Sequence, residues 1–119
     1  MPQSDEAIRV VQRQLEAYNA RDLEAFLAVF DDDVQAVDAE TGAQIATSAA
    51  ELRPRYERRF QTAVHCELLG RLACGDTVVD RERISGLPGG EWADCMAVYT
   101  VKGGKIVRMQ LLWKAGGSQ

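Results

Sequence analysis

At 119 residues, with 46% hydrophobic and 27% charged side chains, the chain has the size and balance of one folded domain and is too short for two cores. A formal net charge of -4 argues against a nucleic-acid partner, which needs a basic footprint. No apolar run approaches the roughly 20 residues of a membrane span. The opening MPQSDEAIRV lacks the basic-then-apolar build of a signal peptide, so the cytoplasm is the expected location. Three cysteines, Cys66, Cys74 and Cys95, without CxxC spacing read as reduced and mostly buried, and a single histidine leaves too little for a zinc cage or a serine-type triad. No metal or cofactor is expected.

Ser4 reads as an N-cap, with Asp5 and Glu6 at the positive end of a helix and Ile8, Val11, Leu15 and Tyr18 following at helical spacing. The predicted helix runs to about Tyr18, and Gln14 edges its buried stripe one turn earlier. After Asn19-Ala20-Arg21, Asp22 caps a second helix whose stripe is Leu23, Phe26, Leu27 and Phe30. Asp31, Asp32 and Asp33 break that pattern, VQAVD alternates as a short strand ending at Asp38, and Thr41-Gly42 turns into a second short strand, AQIA. Ser48 and Glu51 have capping-box spacing ahead of Leu52, Tyr56 and Phe60, a third helix whose regular part is expected from near Pro54. Arg53, Arg55, Arg58 and Arg59 interleave with Glu51 and Glu57 and read as its solvated face.

The hairpin from Val64 to Gly86 carries more ionisable side chains than a core hairpin should. With a two-residue turn at Gly75-Asp76, Arg71 faces Asp80, Leu69 faces Glu82 and Glu67 faces Ile84. One face then holds His65, Glu67, Leu69, Arg71, Ala73, Val78, Asp80, Glu82 and Ile84, and the other holds Cys66, Leu68, Leu72, Val79, Arg81 and Arg83. Pattern alone allows either face inward: Leu68, Leu72 and Val79 as core with the acids in water, or Asp80 and Glu82 in a pocket with Arg71 as counter-ion.

Leu87-Pro88-Gly89-Gly90 bends the chain into a last hairpin. There a three-residue loop, Lys102-Gly103-Gly104 with Gly104 left-handed, gathers Ala93, Cys95, Ala97, Tyr99 and Val101 with Val107, Met109, Leu111 and Trp113 on one apolar face. The opposite face, with Trp92, Asp94, Met96, Val98, Ile106, Arg108, Gln110 and Leu112, is too apolar for open water and points to a homodimer through the outer side of the sheet. Three helices interleaved with two short strands, then four long antiparallel strands, make an α+β domain over residues 1–119, with helices gathered on one face of a curved sheet.

The segments VVQR and NARDLEAFLAVFDDD, within residues 10–33, and GGKIVRM, residues 103–109, resemble ketosteroid isomerase. Over nearly the whole chain the element order resembles the nuclear transport factor 2-like superfamily, and within it the SnoaL-like and ketosteroid isomerase-like proteins. The resemblance implies a cone-shaped, cystatin-like fold whose pocket is lined by the first and third helices and the concave side of the sheet. It places Asp80, Glu82 and Ile84 on pocket positions, which favours the inward reading of the acids. The isomerase's general base falls on Asp38, its oxyanion-holding tyrosine on Gln14 and its oxyanion-holding aspartic acid on Ala97. Losing the phenol and the neutral carboxylic acid removes stabilisation where enolate charge develops, so steroid isomerisation itself is not expected.

Three carboxylates, Asp38, Asp80 and Glu82, around one guanidinium, Arg71, cannot all ionise cheaply in a water-poor site, so at least one is expected to titrate well above its ordinary value. That supplies acid and base together for isomerisation, dehydration or ring closure of a small apolar or amphipathic molecule. Asp38 is the expected base, Asp80 or Glu82 the acid, and Gln14 or Tyr18 the oxyanion donor. Tyr56, Phe60 and Trp113 read as pocket wall and core, and His65 as a group able to tune the acids. Two other readings stay open. One is water activation by Arg71, Asp80 and Glu82, similar in chemistry to limonene epoxide hydrolase of the same superfamily; the other is a non-catalytic dimeric pocket that binds a small metabolite.

Overall fold

A computed structural model describes the backbone of residues 2–118 and the side chains of residues 3–116. Helix α1 (Pro2–Ala20) begins ahead of the expected cap, so Ser4 lies inside the first turn and its hydroxyl instead donates to the carbonyl of Gly75 at 3.2 Å. Val10, Val11, Gln14, Leu15 and Tyr18 are buried along one face, as an amphipathic stripe requires. Arg21, at φ 53°, takes the left-handed turn that ends α1. The Asp22 carboxylate then accepts from the Ala25 N–H at 3.1 Å and starts α2 (Leu23–Leu27).

Strand β1 (Phe30–Asp38) takes in the three aspartates that the hydrophobic pattern leaves outside it. Phe30 and Val34 are buried while Asp32 and Asp33 reach solvent across an irregularity in the ladder, so one strand carries both. β2 (Gln44–Ala46) leads to α3 (Ala49–Arg59), where Ser48 Oγ accepts from the Glu51 N–H at 3.2 Å and Glu51 reaches back to Thr47 rather than to Ser48. The helix starts at Ala49, and Pro54 lies within it at the loss of one backbone hydrogen bond instead of setting its start.

Strands β3 (His65–Cys74), β4 (Thr77–Leu87), β5 (Glu91–Lys102) and β6 (Lys105–Ser118) complete a six-stranded sheet in the order β2-β1-β6-β5-β4-β3. All neighbours are antiparallel except β1 and β6, which run parallel. Helix α1 crosses β3 to β6, and α3 packs on β1 and β2. Tyr18, Phe26, Tyr56 and Phe60 interlock at the junction, with Phe26 and Tyr56 ring centres 4.5 Å apart.

Two bulges decide what faces the interior. The β3–β4 register begins as expected, with Cys74 opposite Thr77 and Arg71 opposite Asp80, but at Leu69 an extra residue enters β3. Leu68 therefore faces Glu82 in place of Leu69, and Cys66 faces Ile84 in place of Glu67. Cys66 turns inward while His65, Glu67 and Leu69 are exposed; on β4, Val78, Asp80, Glu82 and Ile84 are all buried. The β5–β6 turn has two residues rather than three, Gly103 and Gly104, both left-handed at φ 60° and 76°. A bulge at Val107 then restores the expected facing of Met109, Leu111 and Trp113 and puts Ile106, not Val107, in the core. Cys66, Cys74 and Cys95 are free thiols, the first and last buried and Cys74 exposed. Among the described residues no helix is long and apolar enough to cross a membrane.

Candidate functional site

Alternation along β4 delivers two acids to the same side of one strand. Asp80 is fully buried and meets Arg71, which donates from Nε to Oδ1 at 2.7 Å and from Nη2 to Oδ2 at 2.9 Å. Arg71 Nη1 also donates to Gln12 on α1 at 2.9 Å, so the pair is bolted between helix and sheet. Its hydrogen bonds to Asp80 raise the guanidinium further above its ordinary value.

Glu82, next on the same face, is 5% exposed, and among the described residues it has no ion-pair partner. It stands in a cavity with Cys66, Ile84, Cys95 and Tyr99 around it, Gln14, Leu15, Tyr18 and Tyr56 along the wall, and Arg55, Arg59, Leu111 and Trp113 toward the opening. Burial, and then the negative charge of Asp80, push Glu82 up to about 7 against the opposing influence of the Cys66 thiol and Arg71. Burial also raises both neighbouring thiols, Cys95 to about 12, so they stay protonated beside the carboxyl.

Gln14 is 6% exposed, and its Oε1 is buried with no hydrogen-bond partner, an unmet acceptor that interiors rarely leave. The Tyr18 hydroxyl accepts from Arg59 Nη1 at 3.1 Å, which leaves its own proton to donate; burial holds that phenol well above the ordinary range. Arg59 also lies over the Trp113 ring, 5.0 Å from its centre. The cavity volume is about 30 Å³, enough for roughly two waters. Past the same Arg55, Arg59, Leu111 and Trp113 it meets an open vestibule of about 340 Å³ bordered by Asp38 and Ile45.

The structure thus brings together Glu82, Gln14, Tyr18, Tyr56 and Trp113 and leaves the other expected residues outside. Asp38 does not share a cavity with Asp80 and Glu82. Its Oδ1 accepts from the N–H groups of Glu40 and Thr41, both at 2.9 Å, which hold its carboxyl below the ordinary range, and it borders only the vestibule. Asp80 and Arg71 are occupied with each other and do not line the cavity. Phe60 packs edge-on to Tyr18 at 5.4 Å in the aromatic core rather than on the cavity wall. Ala97 is buried between Asp80 and Leu111 in the sheet, and His65 is exposed because the Leu69 bulge turns it out. Arg55, Arg59, Cys66 and Cys95 line the cavity although the sequence reading gave them no site role. The signal for the arginines was their four-residue spacing beside Tyr56; for Cys66 there was none without the bulge.

Three helices against a curved six-stranded sheet, with a cavity between them, is the architecture of the nuclear transport factor 2-like superfamily. The sequence model of the SnoaL-like domain matches residues 11–109, and the chain belongs to that family. Among solved structures, it is similar to a nuclear transport factor 2-like protein of unknown function from Burkholderia xenovorans, with 17% identity over 98% of this chain and 89% of that one and a TM-score of 0.82. It is also similar to an uncharacterised cystatin-fold protein from Novosphingobium aromaticivorans, at 22% identity over 89% and 97% of the two chains and a TM-score of 0.80. A protein from Kribbella flavida proposed to be a ketosteroid isomerase shares 18% identity over 98% of this chain and 83% of that one, with a TM-score of 0.78. No curated protein matches in sequence.

Proposed function

We propose that the cavity binds a small amphipathic molecule and carries out a cofactor-independent proton transfer on it, an isomerisation, dehydration or ring closure, with Glu82 as the acid–base group. The observation behind this is a carboxyl held in an apolar cavity without a cation of its own, facing a space that also holds an unpartnered amide oxygen. A carboxyl poised near 7 gives up and regains a proton at neutral pH with equal ease. The Tyr18 hydroxyl and the Gln14 amide are the donors for charge developing on a substrate oxygen. Asp80 and Arg71 act behind the site, as a fixed charge pair that positions β3 against β4; the Asp80 charge favours the protonated form of Glu82 and Arg71 opposes it. The similarity in fold to a Kribbella flavida protein proposed to be a ketosteroid isomerase supports the reaction class. Water activation by Arg71, Asp80 and Glu82 has no such support, since two of the three do not reach the cavity. A homodimer through the convex sheet face, where exposed Met96 adjoins half-buried Trp92, Val98 and Leu112, belongs to the same proposal.

The test is turnover of enones, epoxides and hydroxy acids by wild type and Glu82→Gln. General acid–base catalysis contributes about 10²–10⁴-fold, so kcat should fall by that amount on any compound the wild type converts. Equal rates in the two proteins would remove Glu82 from the chemistry, and no conversion of any compound by the wild type would reduce the pocket to a binding site.

A further inference from the structure

Arg55 and Arg59 stand one helical turn apart on α3, and both border the cavity and the vestibule. Among the described residues neither lies within ion-pair distance of an acid, whereas their neighbour Arg53 is paired with Glu24 at 2.6 Å. The acid on the vestibule wall, Asp38, is engaged by its own turn, and its lowered pKa traces to the Thr41 and Glu40 N–H groups and to Lys114, not to either arginine. A helix C-terminus favours any cation, which accounts for Arg58 and Arg59 in the last turn. It does not account for Arg55 a turn earlier, nor for Arg59 being laid over Trp113 and tied to Tyr18. An exposed guanidinium, Arg55, and a half-buried one, Arg59, flank the way into the cavity with no carboxylate paired to either among the described residues, and like charges at this spacing oppose each other.

From this geometry we infer that the ligand is an amphipathic carboxylic acid, its carboxylate clamped by Arg55 and Arg59 in the vestibule and its apolar chain running past Leu111 and Trp113 toward Glu82. The guanidinium fork matches a carboxylate bidentately, and the vestibule has room for a hydrated head while the inner cavity does not. At about 30 Å³ the inner cavity must widen to admit a chain. The inference rests on the cavity being the working site, as proposed above, but not on the chemistry at Glu82.

Titration calorimetry with octanoate, octanol and octylamine tests it. Octanoate should bind about tenfold tighter than octanol, with octylamine weakest, and the preference should shrink as salt rises. The double variant Arg55→Gln/Arg59→Gln should lose the preference, its affinities for octanoate and octanol becoming equal, and Arg59→Lys should keep part of it, which separates lost charge from lost folding. Octanol binding as tightly as octanoate, a preference that survives in the double variant, or no octanoate binding would each overturn the inference. Glu82→Gln keeps the two readings apart. If octanoate is preferred but turnover does not depend on Glu82, the catalytic reading falls and this one stands; if turnover depends on Glu82 while octanol binds equally well, the reverse holds.

Discussion

Asp80 and Glu82 leave β4 on the same side, two residues apart, and both are nearly removed from water, yet they are different kinds of group. The neighbours across the sheet make the difference. Arg71 stands opposite Asp80 on β3 and grips both its oxygens, whereas the bulge at Leu69 places Leu68 opposite Glu82, with Cys95 on its other flank. One carboxyl is bound into the frame by a fixed cation, and the other is desolvated among thiols, rings, aliphatic side chains and an amide, in a cavity whose arginines, Arg55 and Arg59, make no ion pair with it. Burial alone therefore does not decide how a carboxyl behaves; whether a cation is buried with it does.

The largest effect should come from breaking the paired member. Arg71→Met leaves Asp80 as an uncompensated buried carboxylate, and urea unfolding at neutral pH should show a loss of about 3–5 kcal/mol. A loss under about 1 kcal/mol would mean that the pair contributes no more than a surface bridge and that the contrast with Glu82 is illusory. The unpaired member should behave in the opposite way. Its carboxyl is raised from 4.5 to about 7 in the folded chain, so the folded state holds a proton there that the unfolded state has released. The associated stability is fully present below about 4.5 and is lost as pH climbs to about 7, at most about 3 kcal/mol. Glu82→Gln should flatten that window and melt higher than wild type at pH 8, because a neutral amide removes the cost of a buried charge. Parallel melting curves for the two proteins from pH 4.5 to pH 8 would show that Glu82 is solvated.

How far this contrast is legible without coordinates depends on the element. Helix order, the Asp22 and Ser48 caps and the grouping of Val78, Asp80, Glu82 and Ile84 on one face of β4 follow from local pattern, since each is fixed by residues close in sequence, whereas the inward turn of that face comes only from the family resemblance. The bulges are not legible. Leu68 and Leu69 are adjacent leucines, either of which satisfies the apolar face, so nothing local says where the extra residue enters, and that one step exchanges His65 for Cys66 in the interior. The same holds at Ile106 and Val107. Arg55 and Arg59 were hidden for another reason: a basic pair among glutamates is the usual composition of a wet helix face, and only the fold brings Trp113 from β6 beneath it.

The smallest expected effect is at Asp38, and it tests whether Glu82 is the only acid that matters to the chemistry. The family resemblance makes Asp38 the base, whereas the structure occupies its Oδ1 with the Glu40 and Thr41 N–H groups. Asn keeps an oxygen for those donors, so Asp38→Asn should cost less than about 1 kcal/mol in unfolding and change kcat by no more than about threefold on a substrate that wild type converts. A base removed from the reacting atoms would instead lower kcat by about 10²-fold or more. Measured beside Glu82→Gln on one substrate, a hundredfold fall at Asp38 with none at Glu82 would move the chemistry out into the vestibule, leaving the unpaired acid of β4 as a strained core residue. The opposite split would confine proton transfer to the inner cavity, where apolar walls rather than a counter-ion set the acidity of the carboxyl.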